Sequence, residues 1–351
     1  MRRGLIAWSK SELPEAALAA RVARTQAALA AAGLDALAVY TNNTRPAGVS
    51  WLTGFVPYWS EALLLLPRAG EPLLVAALTK RVTTWIKATS RLAEVVSAAR
   101  LGVEAGRLAA SWGGKVGVAD RDGLPAGIAE DMEQAGARLE DATDWFARLR
   151  GKADPAEVAL AARAGTIARA ALAEAAHDAE EAASVIAAVE GRARALGAEE
   201  CYVAVAPDLA RDRRLKRLEG RAPLGASFAV RATVAYKGAW VRQTRTLFRA
   251  AARAPLVLAA AERLGAAVAA LPDERGFAGF ASWLVEGCRV AQPLAPLAGS
   301  RIAAPAPLPP EALVSVQACI ELDGTPVVLG APALIGGAGE AAGFLVPPLF
   351  T

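Results

Sequence analysis

A single histidine, His177, stands among 351 residues, and that number limits the chemistry more than any motif does. One imidazole cannot build a multi-histidine metal site, and a histidine relay would require His177 itself to stand beside the nucleophile. It lies in ALAEAAHDAEEAASVIAAVEG, an Ala- and Glu-rich run of helical texture, and is expected as an ordinary helix residue. Cys201, Cys288 and Cys319 are odd in number and far apart, which excludes a disulfide framework and a CxxC metal knuckle. Cys201 follows Glu199 and Glu200 at the start of a strand-like run. A thiol beside arginines gains nucleophilicity, but without a histidine to activate it Cys201 is expected in the core.

Basic residues form the other chemical group. The run Arg211-Asp-Arg-Arg-Leu-Lys-Arg-Leu-Glu-Gly-Arg221 is the most basic stretch. It lacks interleaved aromatics and contains two acids, so a solvated or pocket-lining loop is favoured over a nucleic-acid patch. Only seven of the 39 basic side chains are Lys, and the net charge is +4. An Arg- and Ala-heavy composition reads as coding bias, so the surplus alone does not argue for nucleic acid. The Gly-rich Gly336-Gly337-Ala338-Gly339-Glu340 fits neither P-loop nor dinucleotide spacing. Hydrophobic residues make up 54% of the chain, which excludes disorder as its general state. The start, MRRGLIAWSKSELPEAA, has no secretory apolar core, and longer apolar stretches are broken within about 18 residues, so no membrane span is expected. A reducing, cytoplasmic setting follows as the expectation.

The elements that must position these residues alternate along the first 150 positions. Residues 14–33 read as a helix with Pro14 near its first turn and Gly33 as its stop. A buried strand follows at 34–41. Residues 62–66 and 71–77 flank Pro67-Arg-Ala-Gly70 as a hairpin, 115–120 is another strand, and 124–134 a helix. This alternation implies an α/β layer domain over 1–150. Asp154 and Pro155 then form a helix start, with helices expected at 155–176 and 179–196. The texture turns to strands at Cys201 and again over 227–249, where Lys237-Gly238 forms a turn. Helices are expected at 251–270 and 277–290, and a last pair of strands follows a Pro-rich stretch at 293–310. Residues 151–351 are thus a second, α+β domain.

Four segments taken in order, Arg21–Phe55 ending in SWLTGF, Arg148–Leu160 (RLRGKADPAEVAL), Phe228–Leu247 with its closing TRT, and Pro310–Gln317 (PEALVSVQ), together resemble the creatinase / Xaa-Pro aminopeptidase family, which has the pita-bread fold. Arg21–Phe55, ending in SWLTGF, resembles the opening of the family's N-terminal domain. Arg148-Leu-Arg-Gly-Lys-Ala-Asp-Pro-Ala-Glu-Val-Ala-Leu resembles the junction R-x-I-K-S-P-E-E-I-x-L. Phe228–Leu247 resembles the paired strands that end in T-R-T, and Pro310-Glu-Ala-Leu-Val-Ser-Val-Gln resembles P-G-M-V-F-S-V-E. The resemblance implies an N-terminal creatinase-type α/β domain followed by a pita-bread domain, in a homodimer.

The departures from the family pattern are chemical. The resemblance implies two divalent metals held by two Asp, one His and two Glu. Aligning Thr244-Arg245-Thr246 with T-R-T puts Arg231 and Arg242 at the two Asp positions, eleven apart as in the family. The first Glu falls on Gln317, the second near Gly330, and the His has no counterpart. Guanidiniums stay protonated and repel a dication, so no metal and no other cofactor is expected. Creatinase works without metal through a His, but that position falls on Arg213.

A site built for cations thus becomes one for anions. Arg213, Arg231, Arg242, Arg245 and Gln317 are the candidate ligand-binding residues, for a small carboxylate or phosphate. Period-two alternation puts Arg231 and Thr233 on one face of their strand, and Arg242, Thr244 and Thr246 on one face of the next, with Arg245 facing away. The competing expectation is that these arginines pair with Glu286, Glu321 or Asp323 and plug the old site. Arg45, in the polar loop before SWLTGF, is the candidate contact from a partner subunit; a surface turn set by Asn and Pro is the alternative. The sequence names no catalytic residue. The expected function is a metal-independent binding protein with C–N bond hydrolysis as its reaction if it has one; the alternatives are a non-catalytic pseudopeptidase serving as a binding or assembly module and, last, an active metallo-aminopeptidase.

Overall fold

The computed structural model describes residues 8–57, 60–218, 221–303, 305 and 308–348. The first seven residues, read above for the missing secretory core, lie outside the described residues, as do Glu219 and Gly220 of the basic run and 304, 306 and 307 of the Pro-rich stretch. The chain forms two units. One runs to Arg150 and takes back Arg289–Pro293; the other holds Gly151–Cys288 and the chain from Leu294 on.

The N-terminal unit has the elements α1 (Glu15–Ala31), β1 (Ala36–Asn42), α2 (Ala47–Thr53), β2 (Glu61–Pro67), β3 (Leu73–Ala76), α3 (Thr83–Ala88), β4 (Glu94–Ser97), α4 (Leu101–Ser111), β5 (Lys115–Ala119), α5 (Ala126–Gln134), β6 (Arg138–Asp141) and α6 (Thr143–Gly151). Its six strands lie in the order β4-β3-β2-β1-β5-β6. The run Leu63–Leu66 is buried throughout because the sheet is covered on both faces. Leu64 and Leu66 join Leu37 and Val39 in one cluster, while Leu63 and Leu65 join Ala38 in the other. Each such fully buried leucine stabilises the unit by about 1.5–3 kcal/mol. Trp51, from the SWLTGF segment, is buried with three guanidiniums, those of Arg21, Arg24 and Arg150, 5.2–5.8 Å from its ring centre.

The second unit begins with α7 (Pro155–Leu172). Asp154 accepts a bond from the Glu157 amide (2.9 Å) and Glu157 accepts one from the Asp154 amide (3.2 Å), a reciprocal cap. There follow α8 (Ala182–Ala195), β7 (Glu200–Ala206), β8 (Ser227–Tyr236), β9 (Ala239–Phe248), α9 (Ala254–Ala269), β10 (Ser282–Gly287), β11 (Ala295–Gly299), β12 (Leu313–Leu322), β13 (Thr325–Leu334) and β14 (Gly343–Phe344). The sheet order is β11-β10-β12-β13-β9-β8-β7, with β14 on β13. Lys237 and Gly238, both at positive φ (48° and 82°), make the tight turn between β8 and β9.

Two expectations are corrected here. His177 is not helical: α7 stops at Leu172 and α8 begins at Ala182, leaving it in the connection. Residues 277–290 are not a helix either; a 3-10 turn at Glu274–Phe277 leads into strand β10. Trp283 and Val285 alternate with Leu284 and Glu286, and pairing with β11 and β12 on both sides fixes the strand.

One face of this sheet is apolar and carries the helices. Val203, Val205, Phe228, Val230 and Leu247 pack with α7 and α8, and Val285, Val316, Ile320, Val327 and Leu329 pack with α9. The residues between them in each strand therefore face the other way. That opposite face carries the polar groups.

Candidate functional site

Strand register assembles the site. Arg231 of β8 stands opposite Thr244 of β9, Thr244 opposite Gly330 of β13, and Gly330 opposite Gln317 of β12. One row along, Thr233 stands opposite Arg242, and Ser315 opposite Glu286. Because side chains alternate, all of these lie on the face away from the helices. The four positions that the resemblance gave to metal ligands (Arg231, Arg242, Gln317 and Gly330) are therefore neighbours on one surface.

The polar contacts are specific. Gln317 accepts from Arg231 Nη1 (3.3 Å) and from Thr244 Oγ1 (3.2 Å). Arg242 donates through Nε to Thr233 Oγ1 (3.2 Å) and through Nη1 to Glu286. The Glu286 side chain is 6% exposed and that of Arg242 25%. Glu286 thus neutralises Arg242. Arg231 makes no ion pair among the described residues, and its Nε is a buried donor without a partner. Burial, and then the charge of Arg242, push its guanidinium down to about 10, with Glu286 opposing. It remains a cation at neutral pH in a site that penalises charge. Beside this row, the rings of Tyr202 and Trp240 stack at 6.0 Å and 8°.

The remaining candidates are placed separately. Arg213, in the loop after β7, pairs with Glu321 and is exposed. Arg245 is on the helix face, where Nη1 donates to the Leu172 carbonyl (3.1 Å) and Nη2 meets His177 Nε2 (3.3 Å). Burial lowers its titration. Arg45 pairs with Asp120 inside the N-terminal unit. Asp323 lies in the β12–β13 turn at φ 49°. Cys201 faces the helices, and burial pushes its thiol up to about 12, which keeps it protonated. Ser315, whose hydroxyl accepts from the Arg242 amide (2.9 Å), and the Tyr202–Trp240 stack were not picked out by sequence reasoning. The alternation Ser315, Gln317, Cys319 was the available signal for Ser315.

The surface does not fit a divalent metal. Among the described residues no three His, Cys, Asp or Glu converge as metal ligands do. Two of the four inherited positions present guanidiniums, and a third has no room for a carboxylate. A Cβ on Gly330 would fall 2.6 Å from the Val316 carbonyl oxygen and 3.1 Å from Gln317 Cα. Hard cations need several oxygen donors, and the Glu286 carboxylate is already bonded to Arg242.

Comparison with known proteins agrees with the architecture. Residues 21–151 match the creatinase/prolidase N-terminal domain family. The dipeptidase PepE of Mycobacterium ulcerans superposes with a TM-score of 0.69 at 20% identity, covering 96% of this chain and 98% of its own. The Xaa-Pro dipeptidase of Bacillus anthracis gives 0.70 at 18%, covering 95% and 99%. The X-Pro aminopeptidase of Thermotoga maritima gives 0.70 at 16%, covering 93% and 98%. No curated protein matches the sequence significantly. Residues 21–151 thus match a creatinase/prolidase N-terminal domain, and the chain over its length has the fold of these dipeptidases and aminopeptidases, with the sheet-rich second domain following the first. No helix among the described residues is long and apolar enough to cross a membrane.

Proposed function

We propose that this chain is a metal-independent creatinase/prolidase-type protein that binds a small carboxylate- or phosphate-bearing molecule at Arg231 and Arg242. One observation carries the reading: Arg231 is a desolvated cation whose Nε has no partner and which no carboxylate neutralises. Such a charge is costly unless something anionic reaches it. A bound carboxylate would accept from Nε, and Gln317 and Thr244 would hold the guanidinium's orientation. Arg242, already paired with Glu286, would add field rather than a vacant fork. Arg213 and Arg245 support this ligand only from a distance, being engaged elsewhere.

Binding is favoured over turnover, because the acid nearest the arginines, Glu286, is tied to one of them and His177 lies in the α7–α8 connection. The reading includes a cytoplasmic homodimer with Arg45 near the partner. The second reading, a scaffold without a small ligand, draws support from the pairs Arg242–Glu286 and Arg213–Glu321, which fill part of the old site with counter-ions. Native mass spectrometry of freshly purified protein, with metal analysis of the same sample, separates these. A metal-free dimer carrying a small acidic mass, lost in Arg231→Met, is the expected result. Two metals per subunit would overturn the proposal, and a metal-free dimer with nothing bound would favour the scaffold.

A further inference from the structure

A second site lies outside the polar face, at the end of β9. A cavity of about 520 Å³ opens between the α7–α8 connection and the first turns of α9. That volume suits a small organic ligand. One wall is apolar and carries Phe248, Val257 and Leu258, the last 49% exposed, the one exposed large hydrophobic side chain noted among the described residues. The lining also holds two guanidiniums, Arg245 and Arg249, with the neutral ring of His177 beside them.

These guanidiniums are held rigidly by backbone carbonyls. Arg249 donates through Nε to the Gly225 carbonyl (3.0 Å) and through Nη2 to those of Ala179 (2.6 Å) and Leu224 (3.2 Å). No carboxylate among the described residues comes within ion-pair distance of it. Neutral carbonyls orient a guanidinium without cancelling its charge, so Arg249 keeps its full charge at the cavity. His177 is fixed in turn: Nδ1 lies 3.1 Å from the Phe248 carbonyl and Nε2 3.3 Å from Arg245 Nη2. With Nδ1 donating to that carbonyl, Nε2 is the acceptor for Arg245.

We infer that this cavity binds a small carboxylate with an apolar tail, its head at Arg245 and Arg249 and its tail along Val257 and Leu258. Neither half of the site explains the other. Cations alone suit phosphate or any acid, and an apolar wall alone suits a neutral compound. Side by side within one cavity, they select a molecule that is anionic at one end and apolar along its length. Neither Arg231 nor Arg242 lines this cavity, so it is tested independently of the proposed function.

The test uses decanoate as probe, with decanol as the uncharged control, and the full chain without a histidine tag. His177 is the only histidine, so its ring protons give an isolated NMR signal at the cavity itself. Decanoate is expected to move those resonances saturably and to bind about ten-fold or more tighter than decanol, the margin a charge-assisted pair supplies. Leu258→Asp, at an exposed position, is expected to keep the fold and weaken decanoate binding about ten-fold or more, by removing the apolar wall and adding a like charge. Arg249→Met is expected to weaken it as well, and Arg231→Met to leave it unchanged. Ring resonances that do not move, equal affinity for decanol, or loss of binding in Arg231→Met would each overturn the inference.

Discussion

Arg231 is held in a site that disfavours it. Its charge is desolvated, its Nε unbonded, and its nearest cation is Arg242. Replacing it by a methionine of similar length removes a buried charge, and Gln317 still accepts from Thr244. Arg231→Met is therefore expected to leave stability unchanged or raise it by about 1 kcal/mol while abolishing anion binding, as measured by denaturant melts and by calorimetry with acetate or phosphate as probe. A loss of stability with no loss of binding would mean that the residue is structural. Glu286→Gln should behave the opposite way. It strips Arg242 of its counter-ion in a nearly buried position and is expected to cost about 2–4 kcal/mol in the same melts. The pH dependence follows from the same burial. Burial holds Arg231 near 10 in the fold, below its ordinary value, so the folded chain carries the cost of its charge below about 10 and is relieved of it above. Anion affinity should hold flat through neutral pH and fall as pH passes about 10.

At the scale of elements, helix ends are local chemistry and are legible, whereas strands defined by remote partners are not. The reciprocal cap of Asp154 and Glu157 is written in four consecutive residues, and the helix starts where they require. Asp154→Ala is expected to destabilise the second unit by about 1 kcal/mol, read as a shift in midpoint denaturant concentration. Residues 277–290, FAGFASWLVEGCRV, carry no such signal. Their apolar positions suit a helix face as well as a strand, and only β11 and β12, distant in sequence, decide between the two. The site was readable to the same degree. Period-two alternation places Arg231 and Arg242 on one face, but sequence alone offers Glu286, Glu321 and Asp323 as partners without ranking them. The ranking depends on sheet pairing: β10 sets Glu286 opposite Ser315 of β12, whose hydroxyl takes the Arg242 amide, and this brings Glu286 to Arg242. Packing between helices was equally hidden. A Cβ on Gly106 of α4 would come 2.4 Å from the Met132 carbonyl of α5, so Gly106→Ala is expected to cost about 1–3 kcal/mol by forcing the two helices apart.

At the scale of the whole molecule, the fold is that of dipeptidases and aminopeptidases, while the positions that the resemblance gives to metal ligands hold cations, an amide and a glycine without room. Thermal melting with and without a chelator measures this directly. The expected midpoint is the same in both, because no carboxylate cluster among the described residues waits for a metal; a chelator-induced drop of several degrees would contradict the reading. The sheet of the second unit also has a seam. β9 and β13 share a single backbone register pair, Thr244 with Gly330. Elsewhere along this boundary side chains take the place of the ladder: Thr246 Oγ1 bonds both the amide and the carbonyl of Val328 at 2.8 Å, and Ser315 Oγ takes the Arg242 amide. Arg231 and Thr244 stand on one side of the seam, Gln317 and Glu286 on the other. A line held mostly by hydroxyls is where the sheet should breathe first, and its amides should exchange with deuterium sooner than those of the β12–β13 hairpin. An anion gripped by both banks would act as a suture, and the slowing of exchange along 242–246 and 328–332 would record it.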